Sequence, residues 1–269
     1  MLTLSSQIRQ QLVTQFGASS DDSVCLSSGL RLLAKWRSVL IQNTLLQQEG
    51  TVVRQGPLAG LDFLPQSAEG CHIAKLLGCY EQPLQPAIEA AIAVGYPTIL
   101  NIGCAEGYYA VGLARRLANT HIYAHDTNPA AQTVCRQLAE KNAVTQQVSV
   151  GGLFSGQEFS AYAGSPVLVL CDIEGAEREL LNPHDYPALK EMDIIVESHE
   201  CLISGVTQLL IDRFQHSHAI TLIQDSGQRS LDSPPQWFLD LAHLDQLLAT
   251  WEWRSGPTPW LVMTANRSP

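Results

Sequence analysis

The sequence predicts an α/β fold, a mostly parallel sheet of seven strands preceded by a helical appendage. Three observations lead there. Short apolar runs beginning near Ile99, His121, Val148, Val167, Ile194 and Ile220 alternate with helical segments, the rhythm of successive βαβ units. The stretch Thr98–Asp126 reads as strand, glycine turn, helix and second strand ending in an acid. Pro166–Glu179 repeats the logic, an apolar strand ending in Asp172 followed at once by Glu174, Gly175 and a helix.

Taken in order, Leu26, Leu30, Leu33, Val39, Leu40 and Leu45 fall near helical spacing among Arg31, Lys35 and Gln42. Residues 1–55 are therefore expected to form a helical appendage that acts as a lid or a homodimer contact. Gly50–Gly60, with Gly56 and Pro57, marks the boundary to a main domain, 56–269. Ile73–Val94 is expected to be helical with a break at Gly78; Pro83 and Pro86 suit a helix's first turn, and Gly95 and Pro97 end it. Ile99, Leu100 and Ile102 suit a buried parallel strand, and Ala110, Val111, Leu113, Ala114 and Leu117 give the next helix an apolar face. His121–His125 is the second strand, Pro129–Asn142 a helix and Val148–Val150 a short strand. Gly151–Gly164 reads as an irregular loop whose Phe154 could cover a flat ring. Helices near Glu177 and Val206 separate the later strands, and Pro259–Thr264 is expected to pair at the sheet edge.

Composition narrows the function. At 269 residues and 45% hydrophobic content the chain can bury one sizeable core plus an appendage. Lys+Arg 16 against Asp+Glu 26 gives a net charge of -10 with no basic cluster, which argues against nucleic acid as a partner. No apolar leader core follows a basic start and no long apolar run occurs, so a soluble, cytoplasmic protein without membrane association is expected. The cysteines number 7 and form no C-x-x-C; Cys104, Cys135, Cys171 and Cys201 read as reduced core residues. The H-x-H pair His216 and His218 has no ligand partners at zinc spacing and reads as surface. Trp251 and Trp253 share strand parity and read as packing, although with Trp260 they could wall an aromatic substrate.

The ligand follows from the first glycine turn, where glycine lets the backbone approach a bound group closely. A dinucleotide fingerprint needs a third glycine, and Tyr108 stands where it would fall; no phosphate-loop pattern occurs. A cofactor with a ribose and no phosphate remains. Asp126 is placed to accept hydrogen bonds from both ribose hydroxyls, and Asn101, Gly103, Cys104, Ala105, Glu106, Gly107, Thr127, Phe154 and Asp172 are further candidate cofactor contacts. The spacing N-I-G-C-A-E-G resembles the first motif of class I S-adenosylmethionine-dependent methyltransferases.

With GCAEGYYA, DIEGAE, the strand ending in VESHE, and Gly78-Cys79-Tyr80-Glu81 in place of a G-x-Y-E, the chain resembles the FkbM-type methyltransferases over roughly Gly78–Asp225. Asn101 departs from that pattern where many class I enzymes carry an acid, and Ala105 replaces the middle glycine. The resemblance implies a Rossmann-like class I methyltransferase sheet with an antiparallel edge strand. It adds Glu81 to the cofactor contacts and implies methyl transfer from S-adenosylmethionine to a hydroxyl of a small-molecule or sugar-like acceptor.

Such a displacement needs alignment and proton removal. Asp172, Glu197 and His199 sit at strand ends facing the expected cleft and are the candidate catalytic residues. Glu197 and His199, two apart, point to one side of an extended strand, and with Asp172 they form a candidate divalent-metal set, Glu200 substituting for His199 in one version. A competing structural role is that Asp172 and Glu174 cap the following helix. The same fold could also serve as a non-catalytic adenosine-ligand module, but acids at three strand ends favour catalysis.

Overall fold

The computed structural model describes residues 3–18, 21–65 and 71–267. Residues 1, 2, 19 and 20 of the expected appendage lie outside the described residues. After helices α1 (Leu4–Ala18), α2 (Asp22–Glu49), α3 (His72–Leu77) and α4 (Gln85–Val94), the chain enters a sheet. Its strands are β1 (Thr98–Ile102), β2 (His121–His125), β3 (Val148–Gly151), β4 (Val167–Cys171), β5 (Asp193–Glu197), β6 (His218–Ile223) and β7 (Trp260–Ala265). They lie in the order β3-β2-β1-β4-β5-β7-β6, parallel from β3 to β5, so the Rossmann-like sheet of seven strands stands as expected. The antiparallel strand is β7, inserted one place in from the margin between β5 and β6, and the solvent-facing edge falls to β6.

Strand periodicity sorts side chains between two layers. Ile99, Ile122, Leu168, Leu170 and Ile195 pack under α3, α4, α5 (Tyr108–Arg116) and α6 (Pro129–Lys141). Leu100, Ile102, Val169, Ile194 and Val196 pack on the other face against α8 (Val206–Phe214) and the turn α7 (Glu177–Leu180). The chain order reverses at β1, with β2 on one side and β4 on the other, which opens a crevice beyond the carboxyl ends of these strands.

Several local expectations are corrected. Of the stripe expected on α2, Leu26, Leu30 and Leu33 are exposed at 65%, 70% and 41% and Leu45 is buried; the helix otherwise buries Cys25, Gly29, Ser38 and Ile41. That face is set by contact with α1, α3 and α10 (His243–Thr250), the helix after the short α9 (Gln236–Leu239), rather than by the N-terminal leucines. The loop after β3 holds a 3-10 helix, Gly156–Tyr162, closed by a Ser155–Glu158 capping box. His218 is buried, its Nε2 on the Met192 carbonyl at 2.8 Å, because it opens an inner-facing position of β6. Cys201 is exposed, lying past the end of β5, while the other six cysteines are buried and all seven are free. Trp251 and Trp253 lie in a loop rather than a strand. Among the described residues no helix is long and apolar enough to cross a membrane.

Candidate active site

Register places the site. Ile102 pairs with His125 on one side and Cys171 on the other, and Cys171 pairs with Val196. The next residues, Gly103, Asp126, Asp172 and Glu197, therefore form one row along the carboxyl edge of the sheet. A cleft of about 990 Å³ opens above it, large enough for a cofactor and a small acceptor together.

The first turn is held by left-handed backbone at Gly103 (φ 81), Ala105 (φ 45) and Gly107 (φ 92). Gly103 and Cys104 N–H both donate to the His125 carbonyl, at 2.8 and 2.9 Å. A Cβ on Gly103 would lie 1.6 Å from the Asp172 carbonyl oxygen, and one on Gly107 would lie 2.6 Å from Cys135 Sγ. These glycines thus answer to protein packing and to left-handed φ, in addition to any close approach of a ligand. Asp126 is fixed by the Ala105 N–H on Oδ2 (2.9 Å) and the Asn128 N–H on Oδ1 (2.8 Å). Each oxygen keeps a further lone pair for a ribose hydroxyl.

Gly103, Ala105, Asp126, Thr127, Phe154 and Asp172 line the cleft. Phe154 is buried with its ring edge-on to His125 at 5.0 Å. Five other candidates lie behind its wall. Glu106 is fully buried and paired with Lys75 at 2.5 Å. Cys104 and Gly107 pack toward Cys135 of α6. Asn101 points into the core, its Nδ2 3.5 Å from the Leu170 carbonyl and its Oδ1 buried without a hydrogen bond. Glu81 is buried among charged groups, accepting from Tyr109 Oη (2.5 Å) and from Arg254 (2.7 Å).

The catalytic candidates fall into two overlapping groups joined at Asp172. Glu81, Asp172 and Glu197 form one, and Asp172, Glu177 and His199 the other, each with its ligand atoms within 4.8 Å of one another. Glu197 and His199 do point to the same side, with Ser198 turned back onto Thr207 and the Pro259 carbonyl, but they belong to different groups. Glu200 instead accepts from the Gly205 and Thr207 N–H groups at the start of α8. Neither Asp172 nor Glu174 caps α7; Glu177 holds the preceding turn by accepting from Ile173 N–H at 3.2 Å.

Arg254 occupies the first group, bonded to Glu81, Glu197, Glu252 and Thr258, while Arg229 bridges Asp225 and Glu252 behind it. Burial, with repulsion from Glu197 and Glu252 only partly offset by Arg254, raises Glu81 to about 7. Asp172 is held well above the carboxylate range by desolvation and by the charges of Glu197 and Glu81. In the second group His199 Nδ1 lies 2.7 Å from Glu177 Oε1, and Nε2 lies 3.5 Å from Asp172 Oδ1 and 3.8 Å from Glu174 Oε2. Burial alone would lower the His199 pKa, but the bond to Glu177 and the charges of Glu197 and Glu177 raise it. Burial would likewise raise Glu177, yet the bond to His199 leads the interactions that hold it below the usual range. Because ionised Glu177 can only accept, Nδ1 carries the proton and Nε2 presents a lone pair to the cleft when the ring is neutral.

Among the described residues, four of the five non-glycine residues with positive φ, Glu81, Ala105, Glu174 and Trp253, surround this site, where backbone strain commonly collects. Sequence reasoning missed Glu177, which it read only as a helix start, although it stands in the DIEGAE segment. It also missed Arg254 and Glu252, whose loop carries no local signal; they meet the strand ends only through tertiary folding.

No family model and no curated protein matches the chain. Solved structures resemble it weakly. An O-methyltransferase from Bacillus cereus in complex with SAH is 14% identical, aligned over 66% of this chain and 78% of that one, TM-score 0.45. The O-methyltransferase TomG from Streptomyces achromogenes, in complex with SAM, is 15% identical over 83% and 96%, TM-score 0.45. A precorrin-6y C5,15-methyltransferase from Geobacter metallireducens is 12% identical over 68% and 88%, TM-score 0.42. Likeness at this level does not extend to activity.

Proposed function

We propose that the chain is a methyltransferase that uses S-adenosylmethionine to methylate a hydroxyl of a small molecule, within the FkbM-type pattern its motifs resemble. The observation that carries this reading is the row Gly103–Asp126–Asp172–Glu197, with His199 beside it, at the switch point of the sheet. Asp126 and the glycine turn suit a ribose, Phe154 suits an adenine face, and the turn itself carries no lysine or third glycine for a cofactor phosphate. S-adenosylmethionine, when bound there, supplies a methyl group on a cationic sulfur.

The chain's own groups then orient the acceptor and remove its proton. Neutral His199 would take the proton on Nε2 from the acceptor hydroxyl as that oxygen receives the methyl group. Glu177 steadies the imidazolium through Nδ1. Asp172 faces Nε2, and Glu197 acts through Arg254, which fixes the floor of the cleft. The grouping of Asp172, Glu177 and His199, with ligand atoms within 4.8 Å of one another, favours a second reading in which these residues would hold a divalent cation that acidifies the hydroxyl.

The test is formation of S-adenosylhomocysteine across a panel of hydroxylated acceptors, with and without EDTA. Acceptor-dependent formation that EDTA spares supports the His199 base, and loss with EDTA restored by magnesium or manganese supports the cation. A panel with no turnover, on protein that binds neither sulfur ligand, overturns the reading.

A further inference from the structure

We propose that the acceptor carries an anionic group, a carboxylate or a phosphate, and that Lys35 of α2 receives it. This rests on the methyl-transfer reading for what fills the rest of the cleft.

Three cations line the cleft: Lys35, Lys75 and Arg254. Lys75 is committed to Glu106 at 2.5 Å, and Arg254 to Glu81, Glu197 and Glu252. Lys35 is different. It is half-buried, and among the described residues no carboxylate lies within ion-pair distance of it; its ammonium sits 5.0 Å from the centre of the Trp253 ring. Its ammonium therefore faces the cleft with only an aromatic ring as partner, and an anionic ligand there would meet a positive charge not already shared with a carboxylate.

The surrounding wall is built rather than loose. Trp253 holds a left-handed backbone, φ 63, and its carbonyl accepts from Arg31 of the same helix. Arg31 also donates to the Arg254 carbonyl at 3.2 Å, and the Trp253 indole N–H donates to Ser38 Oγ at 3.2 Å. Helix α2 thus fixes both the aromatic floor and the lysine above it. Nearby carboxylates do not compete, because Glu197 and Glu252 are paired with arginines and Glu174 is 82% exposed. With a net charge of -10 the chain repels anions at long range, so the selectivity has to come from this local contact. An ammonium is a compact point charge that serves carboxylate and phosphate alike.

The experiment uses the full chain saturated with S-adenosylhomocysteine and titrates benzoate, phenyl phosphate, benzyl alcohol and benzylammonium, ligands matched in ring and differing in charge. At least one anion is expected to bind about tenfold tighter than the alcohol, with the ammonium ion weakest. Whichever anion is tighter separates a carboxylate acceptor from a phosphate one. Lys35→Gln is expected to bring the anions to the level of the alcohol, and the exposed Lys190→Gln to change nothing. Alcohol or ammonium binding as tightly as both anions, no anion binding at all, or undiminished anion binding by Lys35→Gln would overturn the proposal. Failure to bind S-adenosylhomocysteine would instead overturn the methyl-transfer reading beneath it.

Discussion

At the residue scale, His199 and Glu177 form a buried pair whose titration bears on stability and, on the proposed reading, on rate. His199→Ala is expected to lower turnover by about 10²- to 10⁴-fold, the usual worth of a general base, while leaving S-adenosylhomocysteine affinity unchanged. Because the His199 pKa is raised and the neutral ring is the base, activity should rise with pH along a limb lying above about 6.5. Glu177→Gln removes a raising contribution, so that limb should move to lower pH; an unmoved limb would remove Glu177 from the positioning role. For stability the signs oppose. The raised His199 contributes fully below about pH 6.5 and is lost as pH climbs through its folded value; the lowered Glu177 contributes fully above about pH 4.3 and is lost as pH falls. The difference in unfolding free energy between wild type and Glu177→Gln should therefore be widest between those limits. His199 was legible as the histidine at the end of an apolar strand. Glu177 was not, because its partner lies 22 residues away and only the sheet register joins them.

At the scale of elements, strands and helices were legible wherever periodicity was strong, from Thr98 to Phe214. What periodicity does not encode is the partner. The apolar run ending the chain gives no sign that β7 slots between β5 and β6, and Leu26, Leu30 and Leu33 of α2 mark a face that tertiary contact leaves bare. The glycine turn shows the same division: its position was readable, but its purpose depends on Asp172 and Cys135 across the fold. Gly103→Ala should disrupt the turn, since a Cβ there meets the Asp172 carbonyl and the φ is left-handed; circular dichroism melts should show a lower Tm together with lost cofactor binding. Arg254→Met leaves Glu81 and Glu197 facing each other without their cation and is expected to cost about 3–5 kcal/mol in denaturant unfolding. Adding Glu81→Gln and Glu197→Gln to that variant should recover much of the loss.

For the whole molecule, the appendage divides. No residue of α1 is buried, whereas Ile41 and Leu45 of α2 belong to the main core and Arg37 pairs with Asp245 of α10 at 2.5 Å. A chain starting at Asp21 should keep the thermal stability of the full chain. One starting at Thr51 would lose two fully buried aliphatic side chains, each worth about 2–5 kcal/mol, and should fail to fold. On the proposed reading the whole arrangement converges on a cleft for an adenosine-bearing sulfur ligand with Asp126 at its ribose. Calorimetric titration of S-adenosylmethionine, S-adenosylhomocysteine and NAD into the full chain and into Asp126→Ala decides this. Micromolar binding of both sulfur ligands, none of NAD, and a loss of about tenfold or more in Asp126→Ala is the expected result. Binding of NAD in their place, or sulfur-ligand binding indifferent to Asp126, would contradict it.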